Sequence, residues 1–268
     1  MTPSLDSPTI NIDTKARKKR KIWRYCLVTI SLLLLLCWLI YAVMMSVMSA
    51  TSNAKMVQCY GNIYSIAHRI RDYQNFYGNY PQYQSEDGTE LWSWRIALEE
   101  SRFTSEFPEQ RFHRDEPWNS EHNLQAIEQS GMDRAFVCPC RISKDKRATY
   151  VAVTGPGTAW TEISKGNVKY STATCRDMIL FIETTEPKNH WAEPGDDVSP
   201  EEVIRLFQAD PGLVKNSKQW FPGHGGHWPK RFATVEGSHE LFSEIKSVEE
   251  LRKRLYVPEE YLINKPEQ

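Results

Sequence analysis

Residues 25–48 read YCLVTISLLLLLCWLIYAVMMSVM, a run without a single charge. At the rise of an α-helix this stretch is roughly 36 Å long against a hydrocarbon core of about 30 Å, so it predicts a helix that crosses a bilayer with some tilt. On its N-terminal side stand Lys15, Arg17, Lys18, Lys19, Arg20, Lys21 and Arg24, opposed only by Asp6 and Asp13, a net charge of +5. On the other side Lys55 is the nearest cation. The positive-inside rule then keeps the N-terminus in the cytoplasm and exports everything after the span. The run is also longer than the apolar core of a cleaved signal peptide, about 7 to 15 residues, so a retained anchor is expected in preference to cleavage after Ser52-Asn53-Ala54.

This divides the chain into a basic tail over 1–24, a transmembrane helix over 25–48 and an exported domain over 49–268. The first 14 residues, rich in Ser, Thr, Pro and Asp, are expected to stay disordered. With +5 in the tail and −1 for the whole chain, the rest carries −6. An acidic domain is a poor partner for nucleic acid, whose phosphates select clustered Lys and Arg. The expected location is a membrane crossed once, with the domain extracytoplasmic.

Beyond the span the apolar residues become periodic. Met56, Cys59, Tyr60, Ile63, Ile66, Ala67, Ile70, Tyr73 and Tyr77 recur at threes and fours, one stripe of an amphipathic helix, with Arg69, Arg71, Asp72, Gln74 and Asn75 assigned to the opposite face. Gly78 and Pro81 mark its end. Short helices are expected over 92–98 and 120–129, the second capped by Asn119 or Ser120. Strands are expected at FVC (136–138), TYVAV (149–153) and MILFIE (178–183), with Gly155-Pro156-Gly157 as a turn. Ser199-Pro200-Glu201-Glu202 fits a capping box opening a helix to about Gln208, with Val203, Leu206 and Phe207 inward. RFATVE and LFSEI around Gly237-Ser238-His239 read as a terminal hairpin, and Ser247 to Glu250 opens a last surface helix.

The chemistry-bearing clusters are few. His224 and His227 flank two glycines, with His190 and Glu236 as further candidate ligands for zinc or copper; a glycine-rich loop entering a strand accounts for the same residues. Asp115 and Glu116 offer paired carboxylates for acid–base work or calcium, or else form a turn that caps the next helix and seats Trp118. The Gly155-Pro156-Gly157-Thr158 loop is not read as a phosphate cradle, because neither a Lys-Ser/Thr pair nor a helix start is expected after it. Outside the span lie Cys59, Cys138, Cys140 and Cys175. A bridge between Cys59 and Cys138 would staple helix to sheet, with two thiols or other pairings as the alternatives.

The order of parts, helix first, loops next and antiparallel strands last, resembles type IV pilins and the pseudopilins of type II secretion. The segment QCYGNIYSIAHRIRDYQNFYGNYP at 58–81 is similar to the signature of a bacterial pseudopilin-like group, the domain-of-unknown-function family 1559. SWRIAL at 93–98, DEPWNSEHN at 115–123, FVCPC at 136–140 and TYVAVTGPGTAW at 149–160 follow in the family's order, and His224-Gly225-Gly226 with Glu236-Gly237 echoes its tail motif. Two departures stand out. The basic run leads straight into Trp23-Arg24-Tyr25-Cys26 with no leader-cleavage glycine and no early Glu, and the tail motif carries Glu236 where the family has Asp.

The resemblance implies an α+β fold of type IV pilin-like plan, with a membrane-spanning helix whose amphipathic upper half packs on an antiparallel sheet. It implies a structural or interaction protein of the cell envelope, whose partners are the membrane, itself or other pilin-like subunits. No nucleophile, oriented base and oxyanion site come together in the sequence, so no enzyme, no cofactor and no small-molecule substrate are expected. The alternative is a membrane-tethered ligand-binding protein or metal-dependent hydrolase using His224 and His227.

Overall fold

The computed structural model describes residues 11–81, 91–100, 112–113, 115–130, 133–139, 146–168, 175–184, 188–209 and 231–263. Its longest element, α1, is one uninterrupted helix from Asn11 to Tyr77. The helix therefore begins inside the segment expected to be disordered, because the Lys- and Arg-rich run beside it consists of good helix formers. The chain divides into two compact units, Met1–Ser52 and Asn53–Gln268.

In the first unit most of the large apolar side chains are exposed. Leu32, Leu33, Leu34, Leu35 and Leu36 are each more than half exposed, as are Trp38 and Ile40. Among the described residues α1 is the one helix long and apolar enough to cross a membrane. Its few hydroxyls bond to the carbonyl one turn back: Thr29 Oγ1 donates to Tyr25 O at 3.0 Å and Ser46 Oγ to Ala42 O at 2.9 Å. That satisfies the groups a lipid solvent could not.

The second unit is α+β. Among the described residues its helices after α1 are α2 (Trp94–Glu100), α3 (Glu121–Ser130), α4 (Asp133–Phe136), α5 (Ala159–Ser164), α6 (Pro200–Ala209) and α7 (Val248–Leu255). Strands β1 (Tyr150–Ala152), β2 (Ile179–Glu183), β3 (Arg231–Thr234) and β4 (His239–Leu241) form one antiparallel sheet in the order β1-β2-β3-β4. Ladder pairs include Val151 with Ile182 and Ile182 with Phe232, and an irregularity between Ile179 and Phe181 shifts the register of β2.

Both faces of this sheet are covered, which is why β1, β2 and β3 are buried at every position instead of alternating. One face carries Tyr150, Ala152, Phe181 and Ala233, and packs in a core with Ile63, Ile66, Ala67 and Ile70 of α1. The other carries Val151, Ile182 and Phe232, and packs with Val203, Ile204 and Phe207 of α6 and Leu251 and Leu255 of α7. The expected stripe of α1 is thus the buried one, and the helix stops before Gly78, which sits in the left-handed region at φ +80°. Two residues depart from it: Gln74, assigned to the outer face, is buried, and Tyr77, assigned to the stripe, is exposed.

Several local expectations change. FVC at 136–138 is not a strand: Phe136 closes α4, and Cys138 is held by a side-chain bond, its N donating to Thr149 Oγ1. LFSEI contributes only Leu241 to β4, since Phe242–Glu244 is a 3-10 turn. Ile204 rather than Leu206 shares the inner face of α6 with Val203 and Phe207. The last helix, α7, covers the second sheet face through Leu251 and Leu255, although its Ser247 cap on Glu250 N is as expected. Ser120 Oγ likewise accepts from Asn123 N at 3.2 Å and caps α3.

The Gly155–Thr158 turn also differs, because a helix start does come after it: Thr158 accepts from Thr161 N and opens α5. Gly157 sits at φ +80°, its carbonyl accepts from Val257 N at 2.7 Å, and an added Cβ would meet Tyr256 Cδ1 at 3.2 Å. Gly157→Ala is therefore expected to cost about 1–3 kcal/mol from left-handed strain and the close ring contact, lowering the thermal midpoint. Gly166→Ala, at φ +69° but with nothing within 4 Å of the added Cβ, should cost less in the same melt.

Candidate functional site

The densest chemistry in the domain lies where α1 meets the starts and ends of the first two strands. Cys59 faces inward from α1, Cys138 lies just after α4, and Glu183 is the last residue of β2; all three are buried. One sulfur from each cysteine and one carboxylate oxygen lie within 4.8 Å of one another. Tyr150 joins them, because it is the ladder partner of Glu183 and its hydroxyl donates to Cys59 O at 3.5 Å.

Short-range bonds hold this arrangement. Thr149 accepts from Cys138 N at its Oγ1 (2.8 Å), donates from its own N to Phe136 O (2.9 Å), and accepts from Thr184 N at its carbonyl (2.8 Å). One threonine thus ties the Cys138 segment to the beginning of β1 and the end of β2. On the other side, Asn62 Nδ2 donates to Arg134 O at 2.9 Å and fixes α1 against α4.

The electrostatics run along the same row across the sheet. Glu183 and Arg231, a buried carboxylate and a buried guanidinium, are the residues that adjoin the Ile182–Phe232 ladder pair on their two strands. The Arg231 guanidinium lies 3.4 Å from the centroid of the Tyr60 ring, a cation–π contact between β3 and α1. Burial, then the nearby Glu183, Cys138 and Cys59, pushes the Tyr150 phenol far above its usual range, so it is a neutral donor. His239, on the next strand, is held below its usual value by partial burial and by Arg231.

A second buried polar centre ties α2 to the sheet. Arg95 is fully buried and forks onto Asp196, with Nη1 3.1 Å from Oδ1 and Nη2 2.8 Å from Oδ2. It also donates to Ser93 Oγ at 2.8 Å and to Tyr150 O at 2.5 Å. With its charge matched by a protein carboxylate in a two-pronged contact, this pair is a structural clasp rather than a reactive group.

No protein-family model matches this chain, and neither does any curated protein or solved structure.

The residues singled out in the sequence are dispersed. His224 and His227 lie outside the described residues. His190 stacks on Trp118 with ring centroids 5.1 Å apart and accepts from Ala192 N, whereas Glu236 pairs with Arg176 at 3.7 Å and its carbonyl accepts from Arg71. Asp115 and Glu116 lie in the turn before α3, where Ser120 and His113 hold the Glu116 carboxyl below its usual range, and Trp118 packs against the core. Cys59 and Cys138, the candidate bridge, have their sulfurs within 4.8 Å of each other and form no disulfide in this structure. Glu183 and Tyr150 carry no such signal in the sequence, because each ends or begins an apolar strand and a pairing across strands has no local pattern. The one trace is a charge closing MILFIE, a poor strand residue at the end of an apolar run.

Proposed function

We propose that this protein is a single-pass anchor protein of a bacterial envelope, its tail cytoplasmic and its α+β domain exported, acting as a pilin-like structural or interaction module. The observation that supports the reading most is α1 itself: one helix carries an exposed leucine run and, further along, a stripe buried by the domain. A helix with an apolar surface on all sides needs lipid or other helices around it, and an anchored subunit supplies that demand either way. The basic flank at Arg17 to Arg24 supports a cytoplasmic tail. Copies of itself or related pilin-like subunits are the partners, meeting through the apolar part of α1.

Two measurements test this. Protease added to intact spheroplasts should remove the domain while a tag on the N-terminus stays protected; a soluble mature chain beginning after Ala54 would end the proposal. A photo-crosslinker placed at Leu34 or Leu39 should give homo-oligomers or adducts with other single-pass subunits in the native membrane, and adducts with lipid alone would exclude the assembly role.

A further inference from the structure

The cluster formed by Cys59, Cys138 and Glu183 has three donors of metal-binding type arriving from three separate segments, and we propose that it binds one thiophilic divalent cation, zinc in the first instance, with the Tyr150 hydroxyl at the fourth position. This goes beyond the envelope role and holds whether or not the domain joins a pilin-like assembly.

The geometry is close to what a small closed site requires. In a tetrahedral zinc site with Zn–S bonds of about 2.3 Å, neighbouring sulfurs stand about 3.8 Å apart. The donor atoms here already lie within 4.8 Å of one another, so adjustments of about an ångström or less bring them to bonding positions. A disulfide asks for more, an S–S separation of about 2.05 Å. Tyr150 is directly across the ladder from Glu183 and its hydroxyl is at the Cys59 carbonyl, so a fourth oxygen is at hand.

Charge permits the same occupant. Loading replaces the two thiol protons by one dication, Zn²⁺ plus two thiols giving a zinc dithiolate and two released protons. Two thiolates, the Glu183 carboxylate, the cation and the nearby strand's Arg231 guanidinium sum to zero, as the two neutral thiols with Glu183 and Arg231 do before loading, so loading leaves no net charge buried. Cys59 is 1% exposed and Cys138 not at all, so the sulfurs are shielded from solvent oxidants, and with Tyr150 at the fourth position the ion keeps no place for water. The site is therefore structural: it clamps α1 to the sheet rather than activating water.

Elemental analysis of the full chain, purified in detergent without added metal, tests this. About one zinc per chain is expected, and cobalt substitution should give the charge-transfer absorption of a dithiolate site. Cys59→Ser and Cys138→Ser should each weaken zinc binding by at least about 100-fold, beyond what loss of an outer-shell partner causes, and Glu183→Gln should weaken it measurably. Cys175→Ser, whose thiol is buried elsewhere beside Tyr80, should leave the stoichiometry unchanged. If a serine variant fails to fold, the cobalt spectrum of the unaltered chain still decides. A Cys59–Cys138 disulfide in the purified protein, a cobalt spectrum without thiolate bands, or zinc content unchanged in folded Cys59→Ser each overturns the proposal.

Discussion

Arg95→Met should lower the unfolding free energy of the detergent-solubilised chain by about 3–5 kcal/mol, the cost of leaving a buried carboxylate without its cation. Asp196 is 5% exposed and forked by Arg95, so once the guanidinium is gone its charge must be borne in the interior or neutralised by a proton. The Tyr150 carbonyl and Ser93 hydroxyl lose a donor at the same moment. Lysine is not a substitute, because an ammonium cannot present two parallel donors to a carboxylate while reaching Tyr150 O. A second change separates charge from volume: adding Asp196→Leu to Arg95→Met removes the orphaned carboxylate and should restore part of the loss. Urea unfolding monitored by tryptophan emission measures both, since Trp92, Trp160 and Trp191 are all buried in the core. An unchanged midpoint in the single variant would mean that the pair holds nothing together.

Ile66→Asp should have a larger effect and abolish the folded domain. Ile66 is completely buried in the core that α1 shares with Tyr150, Phe181 and Ala233, a setting of apolar side chains. Ile66→Ala alone should cost about 2–5 kcal/mol through lost burial and the cavity left behind. A charge adds its desolvation to that, more than the roughly 5–15 kcal/mol a domain has in reserve can absorb alongside its other costs. Tyr64→Asp, on the exposed side of the same turn, is the control and should stay within about 0.5 kcal/mol. Limited proteolysis reads the outcome: rapid cutting within the domain for Ile66→Asp, an undisturbed fragment for Tyr64→Asp. Equal resistance in both would refute the claim that α1 is part of the core.

How much of this is legible in the chain depends on how far apart in sequence the deciding residues lie. The apolar run at 25–48 and the stripe from Cys59 to Ile70 are patterns with a period, so one helix can be read across both before any contact is known. Ser120, Ser199 and Ser247 announce helix starts because a cap needs only the three residues after it. FVC at 136–138 misleads for the opposite reason: an apolar triplet has no period, and what shapes it is Thr149, eleven to thirteen residues away. Gln74 misleads because the width of a buried stripe is set by segments distant in the chain, not by the period of the helix itself.

Periodicity and charge in the chain by themselves determined that one helix has a lipid-like surface in its first part and a one-sided surface in its second, and that short strands come later. Those features are local: each is settled by residues within a turn or two of one another. Tertiary structure alone decided that both faces of the sheet are covered, that Arg95 finds Asp196, and that Glu183 and Tyr150 join Cys59 and Cys138. Such meetings depend on strand register and on the path of intervening loops, and burial makes them consequential, because away from water a charge or a thiol is governed by the few groups that happen to surround it.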